Sequence, residues 1–442
     1  ETDESSFYDG DLIGFIRLGN DLTENYYQIE IPLQESPNLS LDPELVWPIA
    51  NQIDLPVNAL ETIKSLSILN GNLNSENPTF YDLINDEVIT SPVQEFSTIE
   101  IGNQRIAIKG NPNFGDIKTL MIGVKNPRQD NMNSCGQVWF NELRLSDMDN
   151  EGGWAATFAV DSNIADFMNI SATARKSTSG FGNIEQGPSE RDKVDSQQYD
   201  IVSNINFGQL FPKDWGLVIP FNYGQGEELI TPEYDQQYRD IKLSSRIESA
   251  ENQSEKNAIL RQSEDYTKRK SINFIGVSKQ RNNNERTPRF YDLENLTFNY
   301  SYNEINQRNY EIENMVDQNL RAGVNYNFNF NSSKFEPLKK NDSLFNGKYL
   351  RILKDFNLNL LPASLSVNTD FIRQYNKQKF REVELTQGNI GIQELFRRNY
   401  LFDFQFALNY PISESLNLNY SLSNNNIIRN YFLENNLNGA QD

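Results

Sequence analysis

One pattern dominates residues 154–423: segments of roughly ten residues in which apolar or aromatic side chains alternate with small or polar ones. Leu320, Ala322, Val324, Tyr326, Phe328 and Phe330 fall on one side of such a segment, and Arg321, Gly323, Asn325, Asn327 and Asn329 on the other. The same period sets Phe298, Tyr300 and Tyr302 against Thr297, Asn299 and Ser301, and Phe402, Phe404, Phe406, Leu408 and Tyr410 against Asp403, Gln405, Ala407 and Asn409. Leu416, Leu418, Tyr420 and Leu422 likewise alternate with Asn417, Asn419, Ser421 and Ser423. A period of two is that of a strand, so every segment carries one greasy face and one amide-rich face. Two architectures accept such strands: a soluble sandwich with the aromatic face packed inward, and a transmembrane barrel with that face turned to lipid.

The connections favour the barrel. Asp161–Phe167, Gln209–Trp215 and Pro411–Ser415 are short turns, whereas Lys176–Gln198, Gly224–Lys270, Glu304–Asp317 and Asn376–Arg398 are long and polar. Outer-membrane barrels have short periplasmic turns and long outer loops. Strict reversal of direction then requires residues 331–362 to form one periplasmic segment, which leaves about ten antiparallel strands over residues 153–442. Ile247, Ala250, Ile259 and Leu260 follow a helical period, so residues 240–270 read as a helical insertion in an outer loop. Trp215, Tyr223, Phe402 and Tyr410 lie near strand ends, where an aromatic girdle belongs. On this register Phe298, Tyr300, Tyr326, Phe328, Phe404 and Leu418 face lipid. Asn299, Asn325, Asn327, Asn329, Gln405 and Asn419 line the lumen.

Residues 1–152 read differently, as an all-β sandwich with helical insertions. Leu12–Leu18, Tyr26–Leu33, Ile99–Ile108, Thr119–Val124 and Gln137–Leu145 have strand character. Asp42–Asn51 and Pro56–Leu69 suit short helices, the second with Asn58 as N-cap and Gly71 just past its end. Because the first barrel strand runs inward, the sandwich is expected on the extracellular side, either as a cap over the barrel mouth or as a domain merely tethered by Asp149–Gly153.

Composition removes whole classes of chemistry. The chain has no histidine and a single cysteine, Cys135, so no Ser-His-Asp triad, His-ligated metal or internal disulfide can form. Cys135 itself reads as a small, partly buried thiol. With 40 Lys+Arg against 61 Asp+Glu, the net charge of −21 repels polyanions, and no nucleic-acid partner is expected. No apolar run approaches the roughly 18 residues of a spanning helix. The start of the chain lacks the basic and apolar regions of a signal peptide, so either a leader has been removed or the chain begins inside a longer one. Glu227 with Glu228, or Glu233 with Asp235, could be heard as acid and base pairs, but they read as solvated loop charge. Asp147, Asp149 and Glu151 could offer oxygen ligands to Ca²⁺, against the plainer reading of a polar turn. No catalytic residue and no cofactor is expected.

Five stretches also point to a family. VWFNELRLSDMDNEGGWAA (Val138–Ala156), QLFPKDWGLVIPF (Gln209–Phe221), DYTKRKSINF (Asp265–Phe274), TPRFYDLENLTFNYSYNE (Thr287–Glu304) and LKDFNLNLLPASLSVNTDFIRQY (Leu353–Tyr375) resemble the SprA (Sov) family. These are giant outer-membrane translocons of the type IX secretion system of Bacteroidota, linked to gliding motility. GQVWFNELRL alone also resembles the last strand of a galactose-binding-like jelly roll. The family resemblance implies an internal piece of a very large single-chain barrel that exports folded cargo to the cell surface. It further implies, as partners, cargo carrying the type IX C-terminal signal, a PorV-like outer-membrane barrel, a periplasmic plug protein and the lipid bilayer. Two other readings stay open. One is a carbohydrate-binding surface protein using Trp47, Trp139, Tyr26 and Tyr27, although Trp139 between Val138 and Phe140 reads as core. The other is a TonB-dependent receptor or porin.

Overall fold

The computed structural model describes residues 8–37, 40–127, 136–146, 150–250, 252–281, 287–331, 333–337, 347, 356–382 and 392–430. The chain divides into two units: Glu1–Gly152 with Asn183–Lys193 and Pro232–Ser263, and Gly153–Gly182 with Val194–Thr231 and Glu264–Asp442.

In the first unit β1 (Ile13–Gly19), β2 (Tyr26–Pro32), β3 (Thr79–Ile84), β4 (Glu87–Val88), β5 (Gln104–Lys109) and β6 (Thr119–Lys125) form one antiparallel sheet in the order β4-β3-β5-β2-β1-β6. The β3–β4 hairpin was not expected from the sequence. Its two loop residues, Asn85 and Asp86, both take positive φ (52° and 64°), the conformation that lets a two-residue turn follow the strand twist. Tyr27, Ile29, Tyr81, Leu83, Ile106 and Ile108 share one face of the sheet and bury it against Ala59, Leu60 and Ile63 of α2 (Val57–Leu69). Each such side chain contributes about 1.5–3 kcal/mol on burial. Helix α2 begins at Val57 with Pro56 as N-cap and no side-chain cap, so Asn58 is already inside it. The other helix of this stretch, α1 (Pro43–Val46), is a single turn capped by Asp42.

The opposite face carries Arg105, whose Nε donates to Asp82 Oδ1 (2.7 Å) and whose Nη1 donates to the carbonyls of Gln94, Glu95 and Ser97. Irregular chain, rather than a second sheet, therefore covers it among the described residues. Gln137–Leu145, expected as a strand, pairs with nothing there, and Trp139 is 81% exposed rather than in a core. Alternation makes a segment competent for pairing, but it supplies no partner.

Asp21 closes the β1–β2 turn by accepting from the backbone N–H groups of Glu24, Asn25 and Thr23 and from Asn25 Nδ2. The backbone bond from Glu24, with those from Asn25 and Thr23, holds its carboxyl well below the ordinary 3.8. A depressed carboxylate adds stability above its unfolded pKa and loses it as pH falls through the folded one. The stability gap between wild type and Asp21→Ala, measured by urea unfolding, is expected to be full at neutral pH. It should close progressively below pH 3.8; a gap independent of pH would refute the role of the charge.

In the second unit ten strands follow one another as antiparallel neighbours: β7 (Ala155–Ile164), β8 (Met168–Ser177), β9 (Val194–Asn206), β11 (Pro220–Pro232), β12 (Asp265–Lys279), β13 (Leu296–Arg308), β14 (Ile312–Asn329), β17 (Ser364–Phe380), β18 (Leu395–Pro411) and β19 (Asn417–Asn430). The short β10 (Leu217–Val218) also pairs with β12. The sheet is an open wall with β7 and β19 at its edges, consistent with part of a barrel. Leu358–Asn359 (β16) is not part of this sheet and pairs instead with Lys334–Phe335 (β15).

Two of the expected long connections persist, 178–193 between β8 and β9 and 233–264 between β11 and β12, but a third is strand. Glu304–Asp317, expected as a long loop, is mostly strand, with β13 and β14 reversing at Asn309–Glu311. β14, β17 and β18 run for 18, 17 and 17 residues. On the edge where β13 meets β14, here the upper edge, polar residues continue the ladder beyond the aromatic rows. Backbone pairing is indifferent to side-chain polarity, so hydrophobic alternation finds the apolar band and not the strand end. Glu227 and Glu228, expected in a loop, accordingly lie on β11 opposite Lys268 and Thr267 of β12. The insertion between β11 and β12 is helical as α3 (Leu243–Glu248) and α4 (Gln253–Ser263), but it ends before Asp265, where β12 begins. Among the described residues no helix is long and apolar enough to cross a membrane.

Candidate functional site

Residues directly opposite in an antiparallel pair share a face, so the register resolves the two faces of the wall. One row runs Tyr223–Ile272–Tyr302–Leu320–Arg373–Tyr400–Ile428, and the next runs Phe221–Phe274–Tyr300–Ala322–Phe371–Phe402. Below them lie Phe298–Val324–Thr369–Phe404, Leu296–Tyr326–Val367–Phe406–Leu422 and Phe328–Leu365–Leu408–Tyr420. All six residues expected on the greasy face are therefore on one face. Asn299, Asn325, Asn327, Asn329, Gln405 and Asn419 are all on the other, paired with Gly323, Thr297, Ser366, Ser364, Asn368 and Asn409.

The apolar face has sharp limits. On β18 it runs from Tyr400 to Tyr410, ten steps of about 3.4 Å each, which at a tilt of about 40° rise about 26 Å. Above the Tyr400 row the same face turns largely polar through Gln225, Lys270, Glu304, Gln318 and Arg398, with Tyr375 between the last two. The upper tyrosines direct their hydroxyls into that polar row: Tyr223 donates to Gln225 Oε1 (2.7 Å) and Tyr302 to Glu304 Oε2. Each ring thus lies in the band with its polar end beyond it.

On the opposite face the amides bind one another across four strands. Asn222 donates to Asn204 (2.7 Å), Asn273 to Asn222 (3.0 Å), Ser301 to Asn273 (2.6 Å) and Asn303 to Ser301 (3.2 Å). Charge enters at Asp370, which stands directly opposite Asp403 and takes the Nε–H of Arg321 (3.0 Å). Like charges across a pair repel, and Arg321 offsets that repulsion. Gly323 makes room for the group, since a Cβ there would lie 2.4 Å from Asp370 Oδ1. Asp370 was readable from its place in the Ser364, Ser366, Asn368 series but was not singled out by sequence.

Several expected residues differ in detail. Phe328 is only 7% exposed and packs edge-on to Phe330 with ring centres 4.6 Å apart, so its ring is covered by the chain. Asn299 accepts the N–H of Gly276 (2.8 Å), the positive-φ glycine (80°) in the bulge between Phe274 and Val277. β19 breaks the apolar rows, placing Asn424 and Asn426 beside Phe404 and Phe402. Tyr26 and Tyr27 are buried in the first sheet and cannot form a glycan platform, whereas Trp47 and Trp139 are exposed. Cys135, Asp147 and Asp149 lie outside the described residues. Glu151 is exposed, and among the described residues no group of three or more acidic or cysteine side chains could hold a metal.

Within the first unit the insertion between β11 and β12 is anchored by a buried charge pair that the sequence did not reveal. Lys64 Nζ on α2 donates to Asp240 Oδ1 (2.5 Å) and to the carbonyl of Pro112 (2.7 Å), and the two side chains are 2% and 3% exposed. Asp240 Oδ2 also accepts from Tyr27 OH (3.3 Å) and the N–H of Phe114 (3.1 Å). Burial pulls Lys64 below the ordinary lysine value, partly offset by Asp240, and pushes the Tyr27 phenol well above its own.

A family model described as motility related/secretion protein (SprA_N) matches residues 1–247. No curated protein matches the chain.

Proposed function

The chain belongs to the SprA_N family of motility-related and secretion proteins, and from that premise we propose that its ten-stranded sheet is part of the wall of an outer-membrane channel for type IX secretion. The single observation that carries this reading is the pair of faces. A dry aromatic band about 26 Å high, rimmed by tyrosines at both ends of β18, fits the roughly 25 Å apolar band of an outer-membrane barrel. The amide face suits a lumen through which proteins pass. Neutral carboxamides hold water and one another, and carry no net charge with which to trap a folded cargo. The work is therefore physical: the outer face anchors in lipid, and the inner face stays wet.

This reading assigns no catalytic step to the chain. It takes as partners the lipid bilayer and exported proteins with a type IX C-terminal signal. From the family resemblance it adds a PorV-like barrel and a periplasmic plug protein.

The test is accessibility in cells. Cysteine at Asn325 or Gln405 is expected to react with a water-soluble maleimide, and cysteine at Phe298 or Leu418 is not. Both outer positions are exposed in the structure (42% and 47%), so lack of labelling there would report lipid rather than packing. Equal labelling of all four would sink the assignment.

A further inference from the structure

Above the aromatic rim, at the upper edge, the outer face of β7, β8, β9, β11 and β12 is hollow. Ala156 and Ala174 stand where neighbouring rows carry rings, and between Phe158, Tyr199, Leu229 and Tyr266 they leave an open groove of about 510 Å³. The register keeps these groups on one face: Ala156 is opposite Lys176, Phe158 opposite Ala174, and Ala174 opposite Tyr199. The groove is continuous with the rim, because Tyr223 donates to Gln225, which in turn donates to Tyr199 OH (3.2 Å). Its level is that of Glu227 and Lys268, two polar rows above the Tyr223 row.

The lining has two chemistries. One wall is apolar, through Phe158, Ala174 and Leu229. The rim offers the amide of Gln197 and the ammonium of Lys176, beside the Tyr199 phenol, which is bonded to Gln225 and to the Glu227 carboxylate that also lines the groove. Lys268 of this face is already matched by Glu227 (2.6 Å). Lys176 differs. Its Nζ lies 5.6 Å from the ring centre of Trp154, and no carboxylate pairs with it among the described residues. A free cation beside an aromatic ring, neutral hydroxyl and amide donors, and a greasy floor match an anionic group on a sugar that carries acyl chains.

We propose that this groove binds the phosphorylated disaccharide headgroup of lipid A at the outer leaflet, with Lys176 on a phosphate, Gln197 and Tyr199 on the sugar, and an acyl chain descending past Phe158 toward the aromatic rim. The proposal rests on the membrane reading above, since it needs the upper edge to lie in the outer leaflet. The groove then does more than tolerate lipid: it fixes the depth of the strands that lead into the first unit.

Native mass spectrometry of the full-length protein extracted in detergent, titrated with lipid A, tests it. Lysine-to-phosphate contacts are of the strength that makes loss of one cost about tenfold in affinity. Lys176→Glu is therefore expected to weaken lipid A binding about tenfold, and Ala174→Leu, which fills the groove, to weaken it comparably. Phosphatidylethanolamine, lacking the phosphorylated sugar, is expected to bind wild type and both variants alike. Equal lipid A affinity in wild type and Lys176→Glu would overturn the proposal, as would phosphatidylethanolamine binding as tightly as lipid A. The Asn325 and Phe298 cysteine pattern is read in the same variants. If that pattern holds while lipid A binding is unchanged, the groove assignment alone fails; if the pattern is lost in the parent protein, the membrane reading fails first.

Discussion

Replacing Asp240 by alanine is expected to cost about 3–5 kcal/mol, the usual penalty for leaving one member of a buried pair uncompensated. Lys64 would keep its ammonium at 2% exposure with only the Pro112 carbonyl as acceptor. Burial already disfavours that charge, and without the Asp240 carboxylate only the field of Asp235 and the Tyr238 ring 5.6 Å away oppose the desolvation. The Tyr27 hydroxyl and the Phe114 N–H would lose their acceptor as well. The consequence should be local before it is global. Residues 232–263 join the first unit through Asp240, so limited proteolysis of the native protein should cut between β11 and β12 in the variant and spare the wild type. Lys64→Met with Asp240→Leu is the informative partner. Removing both charges together takes away the desolvation cost along with the attraction, so the double variant should recover most of the loss. A double variant no better than Asp240→Ala would mean that packing, not charge, holds the insertion.

Arginine at Phe298 is expected to cost about 2–4 kcal/mol, while arginine at Asn325 costs little. Phe298 lies in the second apolar row below the upper rim, opposite Val324 and far from either sheet edge. Asn325 sits one step along β14 from Val324 but points to the amide face, opposite Thr297 and Asn368. The two substitutions thus test the same depth on opposite sides. Urea unfolding of the full-length protein in lipid bilayers measures the difference. If both arginines cost the same, the aromatic face does not meet lipid and the wall would have to be covered by protein on that side. β19 gives an internal control. Asn424 and Asn426 already break the apolar rows beside Phe404 and Phe402, and arginine at Asn424 should cost less than at Phe298.

Much of the wall was legible because its period is short and strictly local. Alternation at Leu320–Phe330 or Phe402–Tyr410 places each strand and each face without knowledge of any partner, and reversal of direction alone kept Leu358–Asn359 out of the wall. The same signal misread the strand ends. Glu304, Asn306 and Gln307 look like loop residues, yet they pair with Gln318, Val316 and Met315 because the ladder is made by the backbone. In the first unit, β3 was missed because Asn85-Asp86 is a weaker turn signal than Asn-Gly. Gln137–Leu145 was overread because a strand needs a neighbour as well as a pattern.

What the sequence determined by itself is chemistry confined to neighbours along the chain: two-faced strands, their number and direction, and the absence of histidine-based catalysis. The tertiary structure decided everything that joins distant positions. Lys64 and Asp240 are 176 residues apart, and no local period links a lysine on a helix to an aspartate in an insertion. The covering of Phe328 by Phe330, the acid pair at Asp370 and Asp403, and the groove floored by Ala156 and Ala174 likewise arise only when register brings strands side by side. A side chain's polarity is a property of the residue, whereas its burial and its partners belong to the packed sheet.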